Sequence, residues 1–176
     1  MDLSAIDPRL VDAAVGAEDV VWKNALEGPF SLHGVYYDEG FGAYRRMPKD
    51  IAATVNPGVL GLSANTAGGR LRFRTDSPYV AIRAILPTPA LMNHMPLSGS
   101  AGFSLFEMTE QGERHIGNFA PPNQTAKKGY VASVSLGKGG MRQYVLYFPL
   151  YNQVNRLSLA LEGGAKVEPW TPYRNL

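Results

Sequence analysis

The chain has 176 residues, a length typical of one domain with a single hydrophobic core. Its 45% hydrophobic and 18% charged residues exclude a disordered or collagen-like chain, and its net charge of +2 is too small for a nucleic-acid-binding protein. Cysteine is absent, which excludes disulfides, thiolate nucleophiles and cysteine zinc sites.

The N-terminal third shows no strong periodicity. Residues 1–28 are mixed and acidic, and we expect them to form an N-terminal arm or an edge element. Residues 30–57 are rich in Gly, Tyr and Pro, and turn residues recur too often there for a helix of three turns. This segment is therefore predicted to form short strands and loops.

A clear strand pattern begins at Arg70. Leu71 and Phe73 alternate with arginines, and a second alternating segment runs from Val80 to Leu86 after the turn signal Asp76-Ser77-Pro78. These two segments are predicted to form a hairpin. Its polar face would carry a row of arginines: Arg70, Arg72, Arg74 and, on the neighbouring strand, Arg83.

A long loop is predicted from Pro87 to Gly102, about 16 residues, and loops of this length are usually functional or mobile. It is the first place to look for a site. His94 in this loop would act as a base or contact a ligand, or its ring would simply pack on Met92 or Met95.

Four more strands are predicted after the loop, separated by turn signals such as residues 137–140. They are Phe103–Met108, Tyr130–Leu136, Gln143–Pro149 and Arg156–Leu161. Many short strands with frequent turns predict an all-β fold, an antiparallel β-sandwich of jelly-roll type. We place this domain at residues 29–165 and the start of a linker at residues 166–176.

Four blocks of sequence resemble a known family. They are YRRMP at 44–48, GLSANTAGGRLRFRTDSPYVAIR at 61–83, NHMPLSGSAGFSLF at 93–106 and YFPLYNQVNRLSLAL at 147–161. In this order they are similar to the N-terminal β-sandwich domain that precedes SGNH/GDSL-type hydrolase domains and is named for a GxDLY motif. The motif itself differs from the family pattern here, since it reads Gly102-Phe103-Ser104-Leu105-Phe106.

The resemblance implies that the catalytic domain, with a Gly-x-Ser nucleophile turn and an Asp-x-x-His pair, follows the sandwich. This chain stops at EPWTPYRNL, where a linker into that domain would be expected. We therefore expect one domain of a longer hydrolase, although a short natural relative without the second domain is an open alternative.

Two serines come close to a nucleophile motif. Ser63 lies in GLSAN and Ser100 in SGSAG, but neither completes GxSxG, and neither lies at a strand-to-helix turn. Small residues in tight turns explain both, and we predict no catalytic residue in this chain.

Two groups of side chains leave a binding role open. The arginine row would hold a saccharide, carboxylate or phosphate, or would be a solvated face. Aromatic residues would stack on a sugar or pack in the core or against another domain. The aromatic candidates are Trp22, Tyr36, Tyr37, Trp170 and Tyr173.

The predicted function is that of a non-catalytic accessory domain of an SGNH-type esterase, which packs on the C-terminal hydrolase domain and shapes its substrate entrance. The substrate would be an acyl ester, such as an acylated carbohydrate. An independent carbohydrate-binding module is the alternative. The predicted interdomain or ligand contacts are His94, Met95, Tyr151, Asn152 and Trp170.

No cofactor or metal site is predicted, because His33, His94 and His115 lie far apart without metal-ligand spacing. His115 and His33 are predicted to lie on surface strands. No apolar run approaches the roughly 18 residues of a membrane span. The first residues lack the basic and apolar regions of a secretory signal. The compartment is left open, periplasmic or extracellular if a leader has been removed and cytoplasmic otherwise.

Overall fold

Antiparallel strands dominate the computed structural model, which describes residues 20–87, 89, 91–122, 129–137 and 139–171. The strands are β1 (Val21–Asn24), β2 (Ser31–His33), β3 (Tyr36–Asp38), β4 (Ala43–Arg45), β5 (Arg70–Thr75), β6 (Tyr79–Ile85), β7 (Phe103–Thr109), β8 (Gly112–Phe119), β9 (Tyr130–Ser135), β10 (Arg142–Tyr147), β11 (Arg156–Leu161) and β12 (Val167–Glu168). The helices are α1 (Lys49–Val55), α2 (Pro57–Leu62) and α3 (Leu97–Ser100).

These strands form two main sheets. The four-stranded sheet has the order β1-β11-β6-β9. The six-stranded sheet has the order β12-β5-β10-β7-β8, and β2 pairs with β5 beside β12. Strands β3 and β4 form a small separate pair. The all-β antiparallel sandwich predicted from the sequence is confirmed.

The core lies between the two sheets, where alternate residues of each strand meet. Leu71 and Phe73 of β5 are fully buried, as are Ile82 of β6 and Leu159 of β11. Each such side chain contributes roughly 1.5–3 kcal/mol through removal of its apolar surface from water. The same alternation puts the neighbouring arginines on the outer faces.

The predicted hairpin of residues 70–86 is wrong. β5 pairs with β10, β2 and β12, whereas β6 pairs with β11 and β9 in the other sheet. The turn around Ser77 carries the chain from one sheet to the other, so the apolar sides of β5 and β6 face each other across the core. Consequently Arg83 does not extend the arginine row of β5. Alternation fixes the face of each strand but not its hydrogen-bonding partner.

Helices replace part of the predicted loops. The segment 30–57 contains the three short strands β2, β3 and β4 as expected, but it also contains α1. α1 ends at Val55, and the extended backbone of the following Asn56 is favoured because a proline comes next. The Asn56 side chain then caps α2 by accepting a hydrogen bond from the Val59 amide at 2.9 Å. The predicted loop 87–102 contains the single turn α3.

The four strands predicted after the loop are confirmed as β7, β9, β10 and β11, with ends shifted by no more than two residues. β8 was not predicted as an element, but His115 is an exposed strand residue, as expected. His33 lies on β2 and is half-buried. No helix among the described residues is long and apolar enough to cross a membrane.

The predicted domain limits at residues 28 and 165 stay predictions. β1 lies at the edge of the four-stranded sheet, within the predicted arm, while residues 1–19 are outside the described part. β12 pairs with β5 within the predicted linker. Residues 172–176, including Tyr173, and Lys138 of the predicted turn are also outside the described residues.

Candidate functional site

The family-like blocks of the sequence meet at one end of the sandwich. This loop end comprises residues 43–69, 91–101 and 148–154. Backbone hydrogen bonds link Arg46 to Ser63, Thr66 to Asn152 and Tyr151 to Ser100. Segments that are far apart in the chain are thus held in one place.

Arg45 is the largest buried polar side chain of the loop end. Its guanidinium donates hydrogen bonds to the Ser63 hydroxyl at 2.8 Å and to the Met47 carbonyl at 3.3 Å. The Phe41 ring stacks on it, with 4.7 Å between the guanidinium carbon and the ring centroid. Because a buried charge is tolerated only when its donors are satisfied, these contacts fix the position of Arg45.

Arg46 makes a second link to the same segment. Its backbone amide donates to the Ser63 carbonyl at 3.3 Å, and its guanidinium donates to the Leu62 carbonyl. The two arginines therefore fasten residues on both sides of α1 and α2, which we call the helical pair (residues 49–62).

Thr66, Ser100 and Asn152 form the other half of the buried polar network. The Thr66 hydroxyl lies 3.1 Å from the Pro149 carbonyl and 3.0 Å from the Asn152 carbonyl. The Asn152 amide donates to the Ser100 carbonyl at 2.8 Å. The Asn152 side chain thus joins residues 148–154 to the predicted loop 87–102.

The predicted contact residues divide between two places. Met95 is half-buried, and a Cβ at Gly99 would lie 3.0 Å from its Cγ. His94 is exposed next to it, with its Nδ1 3.1 Å from the Asn93 side-chain oxygen. Tyr151 is exposed and Asn152 is buried. The structure thus brings Met95, Tyr151 and Asn152 to the loop end with His94 beside them.

Trp170 lies elsewhere, on the outer face of the six-stranded sheet. Its ring centroid is 4.1 Å from the guanidinium carbon of Arg72. Two positions earlier in the chain, Glu168 forms an ion pair with Arg74 at 3.2 Å. The Trp22 ring stacks on Arg83 in the same way, at 4.3 Å, on the other sheet.

The arginine row is engaged with groups of the protein itself. Besides the contacts of Arg72 and Arg74, Arg70 is hydrogen-bonded to Tyr147. Burial and the positive charges of Arg72 and Arg70 lower the pKa of His33. Burial and a 2.8 Å hydrogen bond to Glu113 raise the pKa of Tyr147. The row is therefore part of a network on the outer face.

Both candidate serines are buried and hydrogen-bonded within the loop end. The buried Ser63 hydroxyl accepts from Arg45 and donates to the Leu60 carbonyl at 2.8 Å. Ser100 is fully buried at the end of α3, and the exposed His94 is hydrogen-bonded to Asn93. Within the described ranges, His, Asp and Glu form no group of three able to hold a metal ion.

The sequence did not reveal the exposed apolar side chains of the loop end. They are Ile51, Val55, Leu62, Leu91 and Leu150. Ile51 and Val55 are spaced i, i+4, which is a helical signal, but α1 has only seven residues and too few positions to establish the period. Several of these residues adjoin members of the buried network in sequence, as Leu62 adjoins Ser63.

The altered GxDLY signature lies at the start of β7. Gly102 is required there, since a Cβ would approach the Ser98 carbonyl oxygen to 2.2 Å. Phe103 and Leu105 enter the core, whereas Ser104 and Phe106, at the Asp and Tyr positions of the motif, are only partly buried. The Phe106 ring contacts Tyr147 edge-on, with centroids 5.5 Å apart, so both altered positions lie on the outer face.

Comparison with known proteins agrees with the resemblance. Two similar solved structures are a GDSL-like lipase from Bacteroides ovatus (TM-score 0.74, 19% identity, 89% of this chain and 45% of that chain) and the salicylyl-acyltransferase SsfX3 from a tetracycline biosynthetic pathway (TM-score 0.64, 23% identity, 88% and 42%). The chain therefore spans less than half the length of these proteins, and no curated protein sequence matches it.

At these identities the structural matches show a shared fold. The sequence model of the GxDLY family, described as the N-terminus of SGNH hydrolase-type esterases, matches residues 20–167. This range includes the whole loop end and both sheets, apart from Glu168 of β12. The chain therefore belongs to the GxDLY family of N-terminal domains of SGNH hydrolase-type esterases.

Proposed function

We propose that this chain is the non-catalytic accessory domain of a longer SGNH-type ester hydrolase, that it packs on the hydrolase domain and that it shapes the substrate entrance. The observation that carries this proposal is the buried network of the loop end. Its polar groups hydrogen-bond to one another and hold the loops in place, so these hydrogen bonds have a structural role. The hydroxyl of Ser63, one of the two serines close to a nucleophile motif, accepts from Arg45 and donates to the Leu60 carbonyl.

The lengths of the related structures support a second domain. Almost all of this chain superimposes on less than half of each of the two related proteins. In this proposal the remainder corresponds to the hydrolase domain, which would supply the nucleophile, the base and the oxyanion donors. The substrate would be an acyl ester, and an acylated carbohydrate is our proposed class.

The positions of the tryptophans favour the accessory domain over an independent carbohydrate-binding module. A sugar platform needs neighbouring aromatic faces on one surface. Trp22 and Trp170 lie on different sheets, and an arginine stacks on each ring. The two rings therefore do not form a joint platform.

The test is to read the coding sequence after Leu176 and to assay p-nitrophenyl acetate hydrolysis by the longer protein beside the 176-residue chain. We expect a hydrolase domain downstream and activity only in the longer protein. A gene that ends at Leu176, or hydrolysis by the short chain, would overturn the proposal. Binding of a soluble glycan by the short chain with no hydrolase domain encoded would favour the binding module.

A further inference from the structure

The helical pair presents an apolar face that nothing in the described chain covers. Ile51 and Val55 lie one turn apart on α1 and are 52% and 57% exposed, and Leu62 at the end of α2 is 52% exposed. Ala52 is the single buried residue of α1. A surface helix usually places polar residues on its outward face, so this arrangement is typical of an interaction surface.

This face is held rigidly from below. Arg45 and Arg46 fasten Met47, Leu62 and Ser63 at the two ends of the helical pair. The Lys49 ammonium lies 5.7 Å from the Phe41 ring, which also stacks on Arg45. A surface whose position is already fixed loses little conformational entropy when a partner binds.

Residues 167–170, the C-terminal segment, run towards the loop end of the sandwich. β12 pairs antiparallel with β5, with Val167 opposite Thr75 and Glu168 opposite Arg74. The next contact is Trp170 on Arg72, so the segment advances towards Arg70. Only about 7 Å of strand separates Arg72 from Arg70.

Arg70 adjoins the loop end directly. It follows Gly69, whose amide donates to the Thr66 carbonyl at 2.8 Å, and the Gly69 carbonyl accepts from Phe148 at 2.9 Å. β2 occupies the edge of β5 at residues 70–72. The C-terminal segment is therefore directed across the outer face towards the loop end.

From these two observations we infer that the helical pair is the docking surface for the hydrolase domain, with Ile51, Val55 and Leu62 buried against an apolar patch of that domain. This inference rests on the proposed function and names its contact surface. The direction of the C-terminal segment brings the hydrolase domain to the loop end, which carries the helical pair, so a covalently linked partner fits better than a second copy or a lipid surface.

The test uses the longer protein with a specific protease site inserted after Leu176. After cleavage, co-elution in size-exclusion chromatography and the dissociation constant by calorimetry report docking. Variants Ile51→Glu and Val55→Glu are compared with Val21→Glu. Val21 is also 57% exposed but lies opposite Leu161, towards the far end of the sandwich. Circular dichroism verifies that each variant is folded.

We expect the wild-type pieces to stay together and each helical-pair variant to weaken their association by about tenfold or more, with Val21→Glu unchanged. Wild-type pieces that separate would overturn the packing itself. Tight association in all variants would overturn the docking surface alone and leave the proposed function standing. Dimerisation of the short chain, or its binding to phosphatidylcholine vesicles, that is lost in Val55→Glu would reject the hydrolase domain as occupant.

Discussion

The guanidinium of Arg45 donates a hydrogen bond to the hydroxyl of Ser63 across 2.8 Å, and both groups are buried. These two residues flank the helical pair. The bond closes the loop that contains α1 and α2. The same Ser63 hydroxyl donates a hydrogen bond to the Leu60 carbonyl. The orientation of the exposed apolar face therefore depends on the buried Arg45 as well as on its neighbour Arg46.

The first prediction contrasts the two neighbouring arginines. Arg45→Ala removes a buried side chain and leaves its hydrogen-bonding partners without that donor, so we expect a loss of about 2–4 kcal/mol of unfolding free energy. Arg46 is exposed, and Arg46→Ala should cost about 1 kcal/mol or less. Urea unfolding measures both. Equal losses would show that the buried network does not stabilise the loop end.

The second prediction concerns the stack of Trp170 on Arg72. Trp170→Ala should release the C-terminal segment at a cost of roughly 0.5–2 kcal/mol. Hydrogen exchange should then quicken at the amide of Lys166, which donates to the Asp76 carboxylate at 2.8 Å. Trp22→Ala, which removes the equivalent stack on Arg83, is the control and should leave that amide unchanged. Unaltered exchange in Trp170→Ala would mean that the β12 pairing alone holds the segment.

The third prediction compares two buried tyrosine hydroxyls. The Tyr130 hydroxyl donates to the Phe119 carbonyl at 3.0 Å, so Tyr130→Phe should cost about 1–2 kcal/mol. The Tyr144 hydroxyl has no hydrogen-bond partner among the described residues, so Tyr144→Phe should be neutral or slightly stabilising. Thermal unfolding distinguishes the two. A larger loss in Tyr144→Phe would indicate that its hydroxyl has a bound water as partner.

The fourth prediction is loss of stability at alkaline pH. Burial raises the pKa of Tyr144 to about 12, and burial also raises the pKa values of Tyr44 and Tyr130. A raised pKa in the folded state means that the unfolded state loses its protons first, near pH 10. The stabilisation is therefore complete below pH 10 and is lost progressively above it.

Absorbance of tyrosinate near 295 nm measures this titration. The buried hydroxyls of Tyr44, Tyr130 and Tyr144 should form tyrosinate only as the protein unfolds. Tyr144→Phe should reduce the late phase. A single transition at pH 10 in a protein that stays folded would contradict the burial of these hydroxyls.

The fifth prediction uses two glycines. Gly102→Ala would place a methyl group 2.2 Å from the Ser98 carbonyl oxygen, and the backbone must shift to accept it, at a cost of about 2 kcal/mol or more. Gly61 lies in α2 with open space around it, so Gly61→Ala should stabilise by about 0.5–1 kcal/mol. Chemical denaturation of both variants tests the pair, and the opposite signs make the test sharp.

Local patterns in the sequence determined which segments form strands and which face of each strand enters the core. Alternation placed Leu71 and Phe73 in the core and Arg72 on the surface of the sheet, because side chains alternate between the two faces of any strand. The family was also recognised from the sequence, since its blocks are short local segments that can be read without the fold.

Tertiary structure alone decided which elements meet. Alternation carries no information about hydrogen-bonding partners, so β5 and β6 entered different sheets although a short turn joins them. α1 was not predicted because its seven residues form too few turns to give a periodic signal. The network that joins Arg45 to Ser63 and Asn152 to Ser100 spans long distances in the chain, and only the packed sandwich brings these polar groups within hydrogen-bonding distance.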